Sequence, residues 1–465
     1  MIALTLQEIA ALTGGTLHPD DPATAAVVVD GPVVTSSREV ARGGLFVARV
    51  GETTDGHRFV GAARAAGAVA ALTGHVVEEL PCVVVDDVQT AFGRIARGVL
   101  ARATGLQTVA ITGSSGKTST KDLLAQVLAT AGPTVAPVDS LNGEIGVPLT
   151  VCRITPDTRF LVTEMGARGI GHLAYLTTIA PPDVAIVLNV GTAHVGEFGS
   201  RANIALAKGE LVEALAPGGL AVLNADDPAV AAMASRTSAR VVTVGVDRSA
   251  DVRATGVLLD SLGRASFTLN GFGRTLPVGL TVSGAHQVGN ALAVVAAAVG
   301  CGLAPEDAIR ALAGAGAVSR WRMEVHERDD GVTVVNDAYN ANPDSMRAAL
   351  LALRSIADAA TPARRTWAVL GTMLELGAES VTAHRDVGRL TADLRVDRVV
   401  AVGDGARDIA VAADPAAVTW VPDVDAAYGL LGEELADGDV VLLKSSRDAG
   451  LRWLGDRLVG LEVPL

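Results

Sequence analysis

From residue 106 onward the chain alternates short apolar runs with longer stretches whose apolar residues recur every three or four positions. LQTVAIT, TRFLVTE, DVAIVLNV and GLAVLNADD are runs of the first kind. TSTKDLLAQVLATAG is of the second kind. Its Leu123, Leu124, Val127, Leu128 and Ala131 share one helical face, and Gly132-Pro133 ends it. Strands separated by helices predict βαβ crossovers and a mostly parallel sheet. Ahead of this region, residues 1–105 read as a small mixed α/β unit, with GGLFVARV and LPCVVVDD as strands and HRFVGAARAAGAVAAL as a helix between them. After a Gly/Ala-rich join at residues 313–320, VTVVNDAYNANPDSMRAALLAL predicts a strand, a loop and a helix, with Asn342 as cap and Pro343 in the first turn. TWAVLG, VDRVVAVGD and DVVLLKSS predict further strands. The expected organisation is an α/β chain of three domains, at 1–105, 106–318 and 319–465.

Composition agrees with that count. The chain has 465 residues, at roughly 150 per domain. It is 49% hydrophobic, 3% aromatic and 19% charged, with 51 glycines, a mixture suited to sheets covered by helices. The formal charge of −13 argues against a nucleic-acid partner, which needs a basic face. Cys82, Cys152 and Cys301 form no C-x-x-C and read as small buried thiols in a reducing compartment. No basic leader precedes an apolar run at the N-terminus, and ALAVVAAAVGCGLA is too short for a membrane span. A soluble cytoplasmic protein without membrane insertion is expected.

The candidate chemistry begins at VAITGSSGKTSTKD. The usual triphosphate loop is G-x-x-x-x-G-K-[ST]. Here Ile111 stands where the first glycine should be, leaving Gly113-Ser114-Ser115-Gly116-Lys117-Thr118. The loop still lies between a strand and a helix N-terminus, where backbone N–H groups and the helix dipole attract an anion. Lys117 can reach β- and γ-phosphates and Thr118 can bind Mg²⁺. The plain alternative is a Gly/Ser turn with a solvated lysine. Glu164 closes one strand and His194 follows another, at the carboxyl ends where ligands gather in such sheets. Each alone reads as an ordinary surface carboxylate or loop histidine; beside Thr118 they form a possible Mg²⁺ site, although Mg²⁺ prefers oxygen ligands.

Together TGSSGKTST, NGEIGVPLT, TEMGARGIGHL, NVGTAHVGEFGS, AKGELVEAL, GAHQVGNALA, RWRMEV, NDAYNANPDSM and LGTMLELG resemble, in chain order, the motifs of the Mur ligases. That family uses the shorter loop G-x-x-G-K-[ST]. The resemblance implies an N-terminal domain for a UDP-sugar substrate, a central ATPase domain and a Rossmann-like C-terminal domain. It also implies ATP-dependent joining of D-alanyl-D-alanine to UDP-N-acetylmuramoyl-tripeptide by a monomer. A family member adding another amino acid, diaminopimelate or lysine, is the alternative, but no D-N-P-R segment occurs. A nucleotide switch is the rival from another class, and neither N-K-x-D nor L-S-G-G-Q occurs.

By position, the resemblance assigns Gly113, Ser114, Ser115, Gly116, Lys117, Thr118 and Ser119 to the triphosphate. Thr118 and Glu164 are assigned to one Mg²⁺. His194, with Lys208 carbamylated, is assigned to a second. Lys117, Glu164, His194 and Lys208 are the implied catalytic set. Asn290, Arg322 and Asp337 match contacts to the ATP base, phosphate and ribose. Ser37, Arg38, Phe46, Asp55 and His57, within SREVARGGLFVARVGETTDGHRFV, fall on the UDP-sugar side, and Asn142, Arg168 and Lys444 match contacts to the substrate or intermediate. On its residues alone Lys208 reads as an ordinary helix lysine, and His384 reads equally as a family position or a structural cap. Ser36 and Gly143 depart from the family's Asp and Asn, both on the sugar-nucleotide side.

Overall fold

The structure is a computed structural model that describes residues 1–51, 53–191 and 195–462. It contains three large sheets. The first pairs Thr16–His18, Cys82–Val84, Ala68–Thr73, Gly44–Val47 and Val33–Val34 in that order, parallel except for the first strand. One expectation fails here. Only Val60–Ala66 of the predicted helix is α-helical, and Ala68–Thr73 is a strand. Gly67, at φ +110°, turns the chain out of the helix in a conformation that favours glycine. The Ala/Val run beyond it then pairs on both edges.

The second sheet has nine strands. Its parallel part runs Arg240–Gly245, Leu220–Asn224, Val184–Val187, Gln107–Thr112, Phe160–Glu164 and Thr134–Val135. Val252–Leu259 continues it in parallel, and Arg264–Gly271 and Arg274–Ser283 extend it as an antiparallel meander. Apolar side chains cover both faces. Val109, Ile111, Leu123, Leu124, Val127 and Leu128 pack on one face with the helix Gln287–Gly300. The other face shares its core with the first unit: Phe92, Ile95 and Val99 of the helix Val88–Ala101 lie in one cluster with Leu161, Leu173, Leu176 and Ile179. The third sheet is ordered Glu324–Glu327, Thr333–Asn336, Val440–Lys444, Thr366–Leu370, Arg398–Val402 and Val418–Val421, parallel except for the first strand. The helix Pro343–Asp358 begins as expected, with Asn342 accepting from Ser345 N.

Candidate active site

Register brings the site together. Ile111 pairs with Glu164, and Thr112 with Val187, so three adjacent parallel strands end at one level. The loop 113–116 rises from the middle strand. Gly116 holds φ +80° and caps the helix Lys117–Ala129. A β-carbon there would also sit 2.8 Å from Asn290 Oδ1, so the position requires glycine twice over. Asn290 in turn donates to Gln287 Oε1 at 2.9 Å.

Asn189, which the sequence had not singled out, fixes the loop. Its Oδ1 accepts from Ser114 N at 2.8 Å and Ser115 N at 2.9 Å, and its Nδ2 donates to Ser115 O at 3.2 Å. Gly191 N donates to Ser114 Oγ at 2.9 Å. The helix has no side-chain cap, so the N–H groups of its first turn, those of Lys117, Thr118 and Ser119, remain the donors an anion can use. Lys117 Nζ lies over the loop and donates to Gly113 O at 2.7 Å. Burial lowers its pKa, the Glu164 carboxylate opposes that shift and the Arg322 cation adds to it.

Thr118 and Glu164 meet as expected. Thr118 Oγ1 donates to Glu164 Oε2 at 3.0 Å, and Glu164 Oε1 accepts from Asn142 Nδ2 at 2.8 Å. Glu164 is 1% exposed. Ser140 Oγ stands 3.0 Å from Thr118 Oγ1, and Arg322 Nη2 donates to both, at 3.0 Å to Ser140 and 3.3 Å to Thr118. Arg322 also lies 4.2 Å from the centre of the Tyr339 ring. A hydroxyl and a carboxylate side by side are hard oxygen donors, the set that suits Mg²⁺. His194 lies outside the described residues.

Lys208 sits on the helix Arg201–Glu213, buried, with no hydrogen-bond or ion-pair partner among the described residues. Burial drives its pKa well down, and the Lys117 cation drives it further. From the third sheet come Asp337 and Lys444, paired at 2.6 Å. Lys444 also donates to Asn340 O at 3.0 Å, and Asp337 Oδ1 accepts from Met323 N at 3.1 Å. Burial lowers the Lys444 pKa while Asp337 opposes the shift. Between the second and third sheets, Ser119, Asp122, Arg264, Gln287, Arg322 and Met323 help line a cavity of about 320 Å³.

The remaining residues fall further out. Arg168 is exposed, and its backbone N–H donates to His172 Nδ1 at 3.1 Å. In the first unit Ser37 is half-buried and Arg38 exposed. Asp55 Oδ1 accepts from His57 N at 3.0 Å and from Nδ1 at 2.6 Å, while His57 Nε2 accepts from Gly74 N at 2.9 Å. The His57 hydrogen bond holds the Asp55 carboxyl below its ordinary pKa. Phe46, at 1% exposure, packs with Val34, Val60, Ala63 and Ala71; its ring fills the core, and a ligand could touch only its neighbours. The ring nitrogens of His384 are both engaged, with Met373 N at 2.9 Å and Ser380 O at 2.7 Å, which makes it a buried tie between loop and helix. Gly143 faces open space, with nothing within 4 Å of an added β-carbon, so the family's larger residue would fit there.

Comparison with known proteins agrees with this geometry. The Mur ligase middle domain matches residues 111–298, and the Mur ligase glutamate ligase domain matches residues 321–447. The chain is 47% identical to the UDP-N-acetylmuramoyl-tripeptide–D-alanyl-D-alanine ligase of Mycobacterium tuberculosis, over 99% of this chain and 98% of the relative. Among solved structures, MurF from Acinetobacter baumannii superposes with a TM-score of 0.89 at 31% identity, covering 98% of this chain and 99% of that one. MurF ligase from Thermotoga maritima in complex with ADP superposes with a TM-score of 0.80 at 28% identity, covering 92% and 98%.

Proposed function

The chain belongs to the Mur ligase family, and on that premise we propose how its residues carry out the family's chemistry. It is an ATP-dependent ligase that joins D-alanyl-D-alanine to UDP-N-acetylmuramoyl-tripeptide in peptidoglycan precursor synthesis. The observation that carries the site assignment is the junction of Lys117, Thr118, Glu164 and Arg322 at the ends of three parallel strands.

A carboxylate does not condense with an amine in water without activation. The terminal carboxylate oxygen of the tripeptide attacks the γ-phosphorus of ATP, and ADP leaves. The amine of D-alanyl-D-alanine then adds to the acyl carbon, the tetrahedral intermediate collapses, and phosphate departs as the amide forms. Lys117 and the first-turn N–H groups hold the β- and γ-phosphates, and Arg322 offsets the charge that develops during transfer. Thr118 and Glu164 fit one Mg²⁺, which when bound screens the phosphate oxygens. A purine nucleoside suits the cavity beside Ser119 and Gln287, with Asn290 behind the loop and Asp337 towards the ribose. Lys444, buried against Asp337, and Asn142 and Arg168 face the acceptor side. A neutral Lys208 amine is the form that reacts with CO₂, so its lowered pKa supports a carbamate there, supplying oxygens for a second Mg²⁺ with His194.

We assign residues 1–105 to the UDP-sugar, 106–318 to ATP and the ligation centre, and 319–465 to the Rossmann-like lid. No helix among the described residues is long and apolar enough to cross a membrane, and the use of ATP and a UDP-linked precursor supports a cytoplasmic location. Phosphate release should require the UDP-tripeptide and D-alanyl-D-alanine together; ATP turnover undiminished without either would reject the ligase assignment. The Arg38 guanidinium has no hydrogen-bond or ion-pair partner among the described residues, and only its backbone N–H is engaged, with Ser36 Oγ at 3.4 Å. Arg38→Ala should raise KM for the UDP-substrate by about tenfold or more, the worth of a charge-assisted hydrogen bond, with KM for ATP unchanged. An unchanged KM for the UDP-substrate would remove Arg38 from that site.

A further inference from the structure

Between the second and third sheets the chain runs along one face of the phosphate-loop helix. Gln126 Nε2 donates to Gly316 O at 2.7 Å, and Gln126 Oε1 accepts from Gly316 N at 3.2 Å. One turn nearer the helix N-terminus, Asp122 Oδ2 accepts from Ser319 N at 2.8 Å and Asp122 Oδ1 from Ser319 Oγ at 3.2 Å. One turn further, Thr118 Oγ1 meets Arg322 Nη2 at 3.3 Å. The helix residues step by four and the linker residues by three: 126 with 316, 122 with 319, 118 with 322. Four helical residues advance about 6 Å, which three residues of incompletely extended chain also cover. The linker is therefore laddered antiparallel to the helix, and its last rung is the arginine at the triphosphate site.

The middle rung is buried and charged. Lys121 and Asp122 are 2% and 5% exposed, with Lys121 Nζ 2.5 Å from Asp122 Oδ1. Lys121 also donates to Pro137 O at 3.1 Å and Ser319 Oγ at 3.2 Å. A hydrophobic pair of similar volume would serve stability as well, and the helix already has its apolar face in Leu123, Leu124, Val127 and Leu128. What the ionic pair adds is a fixed register for Ser319. Directly after it the chain changes support. Arg320 Nη2 at 2.7 Å and Trp321 Nε1 at 3.0 Å donate to Asp456 Oδ1 of the C-terminal helix Leu451–Leu458. Trp321 and Met323, on either side of Arg322, hold φ +58° and +52°, a region strained for such residues.

We propose that Asp122 is a positioning residue for the ligation reaction: by holding Ser319 on the phosphate-loop helix, it registers the Arg322 guanidinium on the nucleotide site from the phosphate-loop side, while Asp456 holds Arg320 and Trp321 from the C-terminal helix. This rests on the ligase reading and on Arg322 serving the phosphates. Asp122 makes no phosphate contact of its own in this account, so its effect passes through Arg322.

The test is a double-mutant cycle on phosphate release with saturating UDP-tripeptide and D-alanyl-D-alanine. Wild-type release that needs both substrates establishes the ligase reading separately from the variants. Asp122→Asn should lower kcat/KM for ATP by on the order of 100-fold, the loss that follows a misplacement of about 1 Å. In an Arg322→Ala background the same substitution should change it by less than about twofold, because residues that act through one another are not additive. Lys121→Met with Asp122→Leu removes both charges together and should show the same pattern. It carries the test if Asp122→Asn alone, leaving Lys121 unpaired, does not fold. Equal losses in the two backgrounds, as expected if Asp122 touched the nucleotide itself from the cavity wall, would overturn the proposal. So would wild-type kcat/KM in a folded variant.

Discussion

Lys117→Ala is expected to lower kcat/KM by on the order of 1,000-fold while leaving the melting temperature close to that of the wild type. The scale is that of removing one preorganised donor from a site where charge develops. The stability expectation follows from the surroundings of Nζ. Among the described residues it makes one hydrogen bond, to Gly113 O, and burial already disfavours its charged form. Losing a bond worth about 1 kcal/mol is offset by relief of that desolvation. The loop itself is held by Asn189 and Ser114, which the substitution leaves alone. Phosphate release and a thermal melt on the same preparation decide the matter. Turnover within tenfold of wild type in a normally melting protein would remove Lys117 from the triphosphate site.

The strand–helix alternation of the central and C-terminal units was legible because apolar strands buried on both faces read as continuous runs. Gln107–Thr112 and Val440–Lys444 are examples. The loop 113–116 between strand and helix was legible for a related reason: its glycines, Lys117 and Thr118 follow directly from Gln107–Thr112 into Lys117–Ala129, so local sequence contains the whole turn. Four features escaped the reading of local pattern. Ala68–Thr73 looked helical because an Ala-rich run suits either state, and the choice was made by edge pairing with distant strands. The meander at residues 252–283 is missing from the expected elements, although its alternating burial on Arg264–Gly271 has a period-two trace in the sequence. The linker ladder was invisible because Asp122 and Gln126 read as a polar helix face; only a segment nearly 200 residues away shows that this face is covered. Asn189 was hidden in the same way, as one polar residue after an apolar strand.

Lys208→Ala is expected to remove nearly all activity, and formate or acetate is expected to restore part of it. The helix Arg201–Glu213 buries this amine without a hydrogen-bond or ion-pair partner among the described residues, and both burial and the Lys117 cation lower its pKa. A lysine in that condition is neutral over more of the pH range and therefore more nucleophilic towards CO₂; a carbamate formed there would be a carboxylate in charge and shape. A small carboxylate entering the space left by alanine supplies similar oxygens, and recovery should be incomplete because ligand position tunes a metal site. Stability gives an independent check. With a folded pKa below the unfolded value of about 10.4, the folded chain binds fewer protons at Lys208 than the unfolded chain between those two values. This group's contribution therefore makes the protein more stable as pH rises through that window. Lys208→Met removes the penalty. In CO₂-free buffer without Mg²⁺ it should melt higher than wild type, by a margin largest at low pH and shrinking towards pH 10. A site kept for chemistry at the expense of stability behaves in this way, whereas a buried lysine without a role in the reaction predicts full activity and no carboxylate effect. Full activity in Lys208→Ala would reject the carbamate and leave the phosphate loop standing on Lys117, Thr118 and Glu164.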